Sequence, residues 1–144
     1  MLAVALIFAS CGGSYAKLSD VYDKIKSEIK LSEMVEFKDA GDLEKFYGIT
    51  EDELEEFAGG INSTGVEQEE IVLTKASSDS AADEIETALN NRRQAKLNEN
   101  KNYNPEQAEM IEKCAVERNG RYVFMIISPN NDEINKIIKT ELGL

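Results

Sequence analysis

Residues 123–127, Val-Phe-Met-Ile-Ile, are apolar at every position, so neither alternate face of the segment carries a polar side chain. A strand of this kind has no side to offer water. It belongs inside a sheet and requires cover above and below. Cys114 to Arg118 precedes it across Asn119-Gly120, the pair favoured in a type I′ hairpin turn, and Pro129 ends it. Whatever else the chain does, it has to supply enough amphipathic elements to cover this sheet twice.

The remaining patterns supply them. Leu18, Val21, Tyr22, Ile25 and Ile29 form one face of an amphipathic helix, with Ser19 and Asp20 at its start and Lys24, Lys26 and Lys30 in its later turns. After Met34-Val35-Glu36-Phe37, residues Asp42 to Tyr47 make a short helix closed by Gly48. Thr50-Glu51-Asp52-Glu53 is a capping box, which predicts a further helix burying Leu54 and Phe57 and stopping at Gly59-Gly60. Gly65-Val66 and Ile71-Val72-Leu73-Thr74 read as two short strands joined by the charged turn Glu67-Gln68-Glu69-Glu70. Ser77-Ser78-Asp79 opens a long helix running to Asn98, and Asn104-Pro105-Glu106-Gln107 opens another. Asp132 caps a final helix that carries Ile134, Ile137, Ile138 and Leu142 on one face. The expected fold is α+β: a small, mostly antiparallel sheet of about four strands, packed with an N-terminal helix, a long central helix and a C-terminal helix.

The first nine residues, Met1 to Ala9, are apolar and are followed by Ser10-Cys11-Gly12-Gly13-Ser14. This run is shorter than the roughly 18–20 residues that span a bilayer, and it matches the apolar region of an export signal. Phe8-Ala9-Ser10-Cys11 resembles a bacterial lipobox, with Phe in place of the usual Leu and with no Lys or Arg ahead of it. The expected organisation is a signal peptide over 1–10, a lipidated Cys11 with its tether over 11–16, and one globular domain over 17–144. Acylation would consume the Cys11 thiol, leaving Cys114 as a small buried hydrophobe. The removed segment bears no charge, so the net −12 of the chain belongs to the globular part.

Chemistry is more restricted than location. The chain has no histidine, which excludes Ser-His-Asp and Cys-His nucleophile systems and histidine-ligated zinc. Its negative charge repels phosphate backbones, so no nucleic-acid partner is expected. The acidic runs Glu51 to Glu56 and Glu67 to Glu70 sit at caps and turns and read as solvated faces rather than a glycosidase pair. Asp132 and Glu133 are weak candidates for calcium ligation, without EF-hand spacing. Arg92, Arg93 and Lys96 form the one local basic cluster, suited either to an anionic ligand or partner carboxylate or to the protein's own glutamates. Tyr103 and Tyr122 are aromatics to be weighed between a binding surface and local packing at Pro105 and in the hairpin. No catalytic residue and no cofactor is expected.

The order of motifs resembles a family of Gram-positive, Firmicutes lipoproteins known only as a domain of unknown function. The resemblance rests on Cys11, the first helix with Met34 after it, Tyr47-Gly48-Ile49, the Ile71-Val72-Leu73 strand, Leu89 with Arg92 and Arg93, Tyr103-x-Pro105, and Gly120-x-Tyr122-Val123. It implies export, lipid anchoring and one compact domain. The functional expectation is a lipid-anchored protein on the extracytoplasmic face of the cell membrane with a non-enzymatic binding or protein-interaction role, its partner an unknown envelope protein or small ligand. The alternatives are a small-molecule or calcium-binding module at the cell surface and, behind it, a hydrolase using carboxylates alone.

Overall fold

The computed structural model describes residues 15–144; the signal peptide expected over 1–10 and the expected lipidation site Cys11 lie outside the described residues. Five strands form one sheet: β1 (Met34–Glu36), β2 (Leu54–Asn62), β3 (Glu70–Ala76), β4 (Val116–Asn119) and β5 (Tyr122–Ile127). Their spatial order is β1-β2-β3-β5-β4, and every neighbouring pair is antiparallel. The fold is α+β, with one strand more than expected.

The apolar segment at 123–127 is β5, and both faces are covered as its composition requires. Phe124 and Ile126 pack with Ile71 and Leu73 of β3 beneath α1 (Leu18–Glu28) and α5 (Asn131–Leu142). Val123, Met125 and Ile127 pack with Val72 and Ala76 on the opposite face, beneath α2 (Ala40–Tyr47), α3 (Asp79–Tyr103) and α4 (Pro105–Lys113). Pairing Ile71 with Ile126 and Val72 with Met125 keeps the alternation of the two central strands in phase. Each fully buried Val, Ile or Phe contributes about 1.5–3 kcal/mol of transfer free energy, so the two central strands anchor both layers.

Local signals place most helix ends. Asp39 accepts the Gly41 N–H at the start of α2, Ser78 accepts the Ala81 N–H at the start of α3, and Gly48 closes α2 with a left-handed φ of 72°. Other ends differ. α1 lacks a side-chain cap of its own, and its first N–H is taken by the Glu56 carboxylate of β2 at 3.0 Å. α3 continues five residues beyond Asn98 to Tyr103, and Asn104 then accepts the Gln107 N–H to begin α4. Asn130, not Asp132, is the N-cap of α5; Asp132 stands in its first turn.

The expected helix over residues 50–59 is a strand. The Glu53 carboxylate does reach back to the Thr50 N–H at 2.6 Å, but the motif closes only a single 3₁₀ turn over Glu51–Glu53. An irregularity between Leu54 and Glu56 inserts a residue into β2, so Leu54 and Phe57 both face the α2–α3 layer. Their three-residue spacing imitates a helical stripe. Gly65-Val66 is likewise not a strand. The Asn62 Oδ1 gathers the Thr64 and Gly65 N–H groups into a turn and leaves Val66 exposed. In the hairpin, Asn119 pairs with Tyr122 and only Gly120 has positive φ, so the loop is Gly120-Arg121 and the register is one residue beyond that of an Asn-Gly turn. A positive φ at the first loop residue alone is the type II′ arrangement.

Candidate functional site

The basic cluster on α3 is the natural starting point. Arg92 and Lys96 are one turn apart and so share a face, which lies over the start of β3. There Glu70, fully buried, receives both side chains. Arg92 donates from Nε to Oε1 and from Nη2 to Oε2, each at 3.1 Å, and the Lys96 ammonium stands 3.0 Å from Oε2. Burial by itself pushes the Glu70 carboxyl up. The hydrogen bonds from Arg92 and the charges of Lys96 and Arg92 outweigh it and hold the group below the ordinary 4.5.

Tyr47, at the end of α2, closes this cluster. Its ring lies 5.8 Å from the Arg92 guanidinium, and its buried hydroxyl meets no partner at hydrogen-bond geometry. Burial foremost, and then the Glu70 charge, drive its phenol far above the normal tyrosine range. The arrangement locks α3 to β3 with a bidentate ion pair. It leaves Arg92 and Lys96 committed to an internal carboxylate rather than extended toward an external anion.

Arg93 points elsewhere. It donates to the Cys114 and Glu112 carbonyls and closes the C-terminal end of α4, the capping role that a cation near those orphan carbonyls performs. Cys114 is a free, buried thiol. Tyr103 is 91% exposed at the last residue of α3 and does not cover Pro105. Tyr122 is half-buried in β5 with its ring 5.9 Å from Phe124 and from the Lys75 ammonium. The five candidate contact residues, Arg92, Arg93, Lys96, Tyr103 and Tyr122, therefore occupy several separate places.

The acidic candidates also separate. Glu69 and Glu70 are buried and are not part of a solvated turn. Glu69 accepts the Ser32 N–H at 2.7 Å and the Ser128 hydroxyl at 2.5 Å, tying the segment after α1 to the end of β5. Asp132 and Glu133 are exposed in the first turn of α5. Among the described residues no group of three acidic, cysteine or histidine side chains is placed to hold a metal ion.

Two openings flank α2. One, of about 670 Å³, lies between α2 and α3 against Phe46, Tyr47 and Arg92. The other, of about 370 Å³, lies between α2 and β1 against Val35, Phe37 and Phe46, with Lys38 and Lys45 beside them. Sequence reasoning missed this second groove, because Val35 and Phe37 were unremarkable until α2 returned along the same strand. Alternation of Val35 and Phe37 at the sheet edge was the only available signal.

Residues 27–128 match the model of a family described as a domain of unknown function, DUF4358. No curated protein and no solved structure matches the chain.

Proposed function

The chain belongs to the DUF4358 family, and on that footing we propose that it is a lipoprotein, anchored through Cys11 on the extracytoplasmic face of the cell membrane, with a non-enzymatic binding or protein-interaction role. The anchor is supported by the apolar run ending in Phe8-Ala9-Ser10-Cys11 and by the Gly12-Gly13-Ser14 tether after it. Two or three acyl chains on one cysteine suffice for stable attachment. None of the helices described is long and apolar enough to cross a membrane.

The binding role is supported by one observation: the buried charged side chains are spent on the fold. Among the described residues these are Glu69, Glu70 and Lys96, and each is bonded within the protein. A carboxylate hydrolase needs a protonated acid beside an ionised one in a cleft. Glu70 is instead held ionised between two cations. Labelling with radioactive palmitate in the native host tests the anchor. The wild-type chain is expected to take up label and Cys11→Ala to lose it; an unlabelled wild type overturns the lipoprotein assignment.

A further inference from the structure

The two edges of the sheet are not alike. On β4, Glu117 pairs with Lys139 of α5 at 2.8 Å, and Arg118 pairs with Asp83 and Glu86 of α3, so side chains tie that edge to both helical layers. β1 is left open. The Phe37 N–H bonds to the Gly59 carbonyl and the Ser63 N–H to the Glu33 carbonyl, which turns the backbone groups of 33, 35 and 37 toward β2. Those of Met34 and Glu36 therefore face away from the sheet. Among the described residues no loop or side chain hydrogen-bonds to them. An edge of this kind is a template for another strand.

The groove beside that edge has a definite chemistry. Val35 is 55% exposed and Phe46 is 39% exposed, and with Phe37 and Ile61 they make an apolar surface along β1. The carboxylates at the groove are already engaged: Asp42 accepts the Lys38 N–H at 2.8 Å, and Glu36 pairs with Lys26 at 2.7 Å. Lys38 and Lys45 make no ion pair among the described residues, and the Lys45 ammonium rests 5.0 Å from the Phe46 ring. On a chain of net charge −12, Lys38 and Lys45 balance Glu36 and Asp42 in the groove lining, so this apolar strip is locally neutral and offers two ammonium groups without carboxylate partners.

We propose that the β1 edge and this groove bind an extended acidic peptide segment of a partner protein by strand addition. Its backbone pairs with Met34 and Glu36, its alternate apolar side chains lie on Val35, Phe37 and Phe46, and its carboxylates meet Lys38 and Lys45. This rests on the binding role proposed above and names its surface and partner class.

The test uses the full-length chain in detergent. Random dodecapeptides displayed on phage are selected against it, and the enriched peptides are measured by fluorescence polarisation. Acidic peptides with alternating apolar residues are expected. Lys38→Glu with Lys45→Glu should weaken them about ten-fold through charge reversal at the groove. Glu36→Pro, which removes the outward-facing N–H together with the Lys26 pair, should also weaken them about ten-fold, whereas Glu36→Ala, which removes the Lys26 pair but keeps that N–H, should not. N-methylation of the peptide should abolish binding at every second amide and spare those between.

Melting curves for Glu36→Pro and Glu36→Ala separate lost binding from lost folding, and the lysine variant decides the matter if the proline variant does not fold. Enriched peptides indifferent to both the proline and the lysine changes overturn the β1 assignment while leaving a binding role elsewhere on the domain. No enrichment, peptides without acidic residues, or pairing of two copies of the chain through β1 overturns it as well. Palmitate labelling is read independently of all these outcomes.

Discussion

Glu70 shows what one residue can decide. Its carboxylate is fully buried and joins β3 to α3 through Arg92 and Lys96. Removing one member of such a cluster leaves the others desolvated without compensation, and Lys96 is the more buried of the two cations that loss of Glu70 would strand. Glu70→Gln is expected to lower the unfolding free energy at pH 7 by about 3–5 kcal/mol, measured by urea titration. The pH dependence carries a sign. Because the folded-state carboxyl titrates below the ordinary 4.5, its contribution is fully present above that value and is lost as pH falls toward the folded-state value. The gap between wild type and Glu70→Gln should therefore narrow below pH 4.5. The basic cluster on α3 was legible from its helical spacing. Its partner was not, since Glu70 stands at the end of an acidic run that reads as a solvated turn until the chain is folded.

At the scale of elements, β2 shows how a local pattern can mislead. Thr50 and Glu53 do form a helix-start motif, and Leu54 and Phe57 do share a face, yet the residue inserted near Glu56 produces that spacing within a strand. Gly59-Gly60, read as a helix stop, lies within β2, where β1 and β3 approach from either side. A Cβ on Gly59 would fall 1.9 Å from the Ile71 carbonyl oxygen at a φ of +136°, and one on Gly60 would fall 2.6 Å from the Val35 carbonyl oxygen. Gly59→Ala should cost more than about 2 kcal/mol in thermal or urea unfolding. Gly65→Ala provides the comparison. Its φ is +70° with nothing within 4 Å, so backbone strain alone applies and the cost should be about 1–2 kcal/mol. Paired glycines within a strand signal close backbone approach, but which backbones approach depends on β1 and β3, both distant in sequence.

For the molecule as a whole, charge is the dominant unbalanced quantity. Many of its ion pairs are exposed and worth little, while a net −12 repels itself across the entire surface. Raising ionic strength from 0.01 M to 0.15 M shortens the screening length from about 30 Å to about 8 Å. The melting temperature is therefore expected to rise over that range in differential scanning calorimetry; a fall would mean that surface ion pairs outweigh the net repulsion. By itself the sequence determined the need for a doubly covered central strand, most helix positions, the α+β class and the absence of histidine chemistry, because these follow from composition and short-range periodicity. Tertiary structure alone decided that Glu70 is the partner of Arg92 and Lys96, that Glu56 caps α1, and that β1 ends as an open edge beside a lysine-flanked groove. Each of those joins residues far apart in the chain, and hydrogen bonding and burial between them are fixed only when the sheet order is.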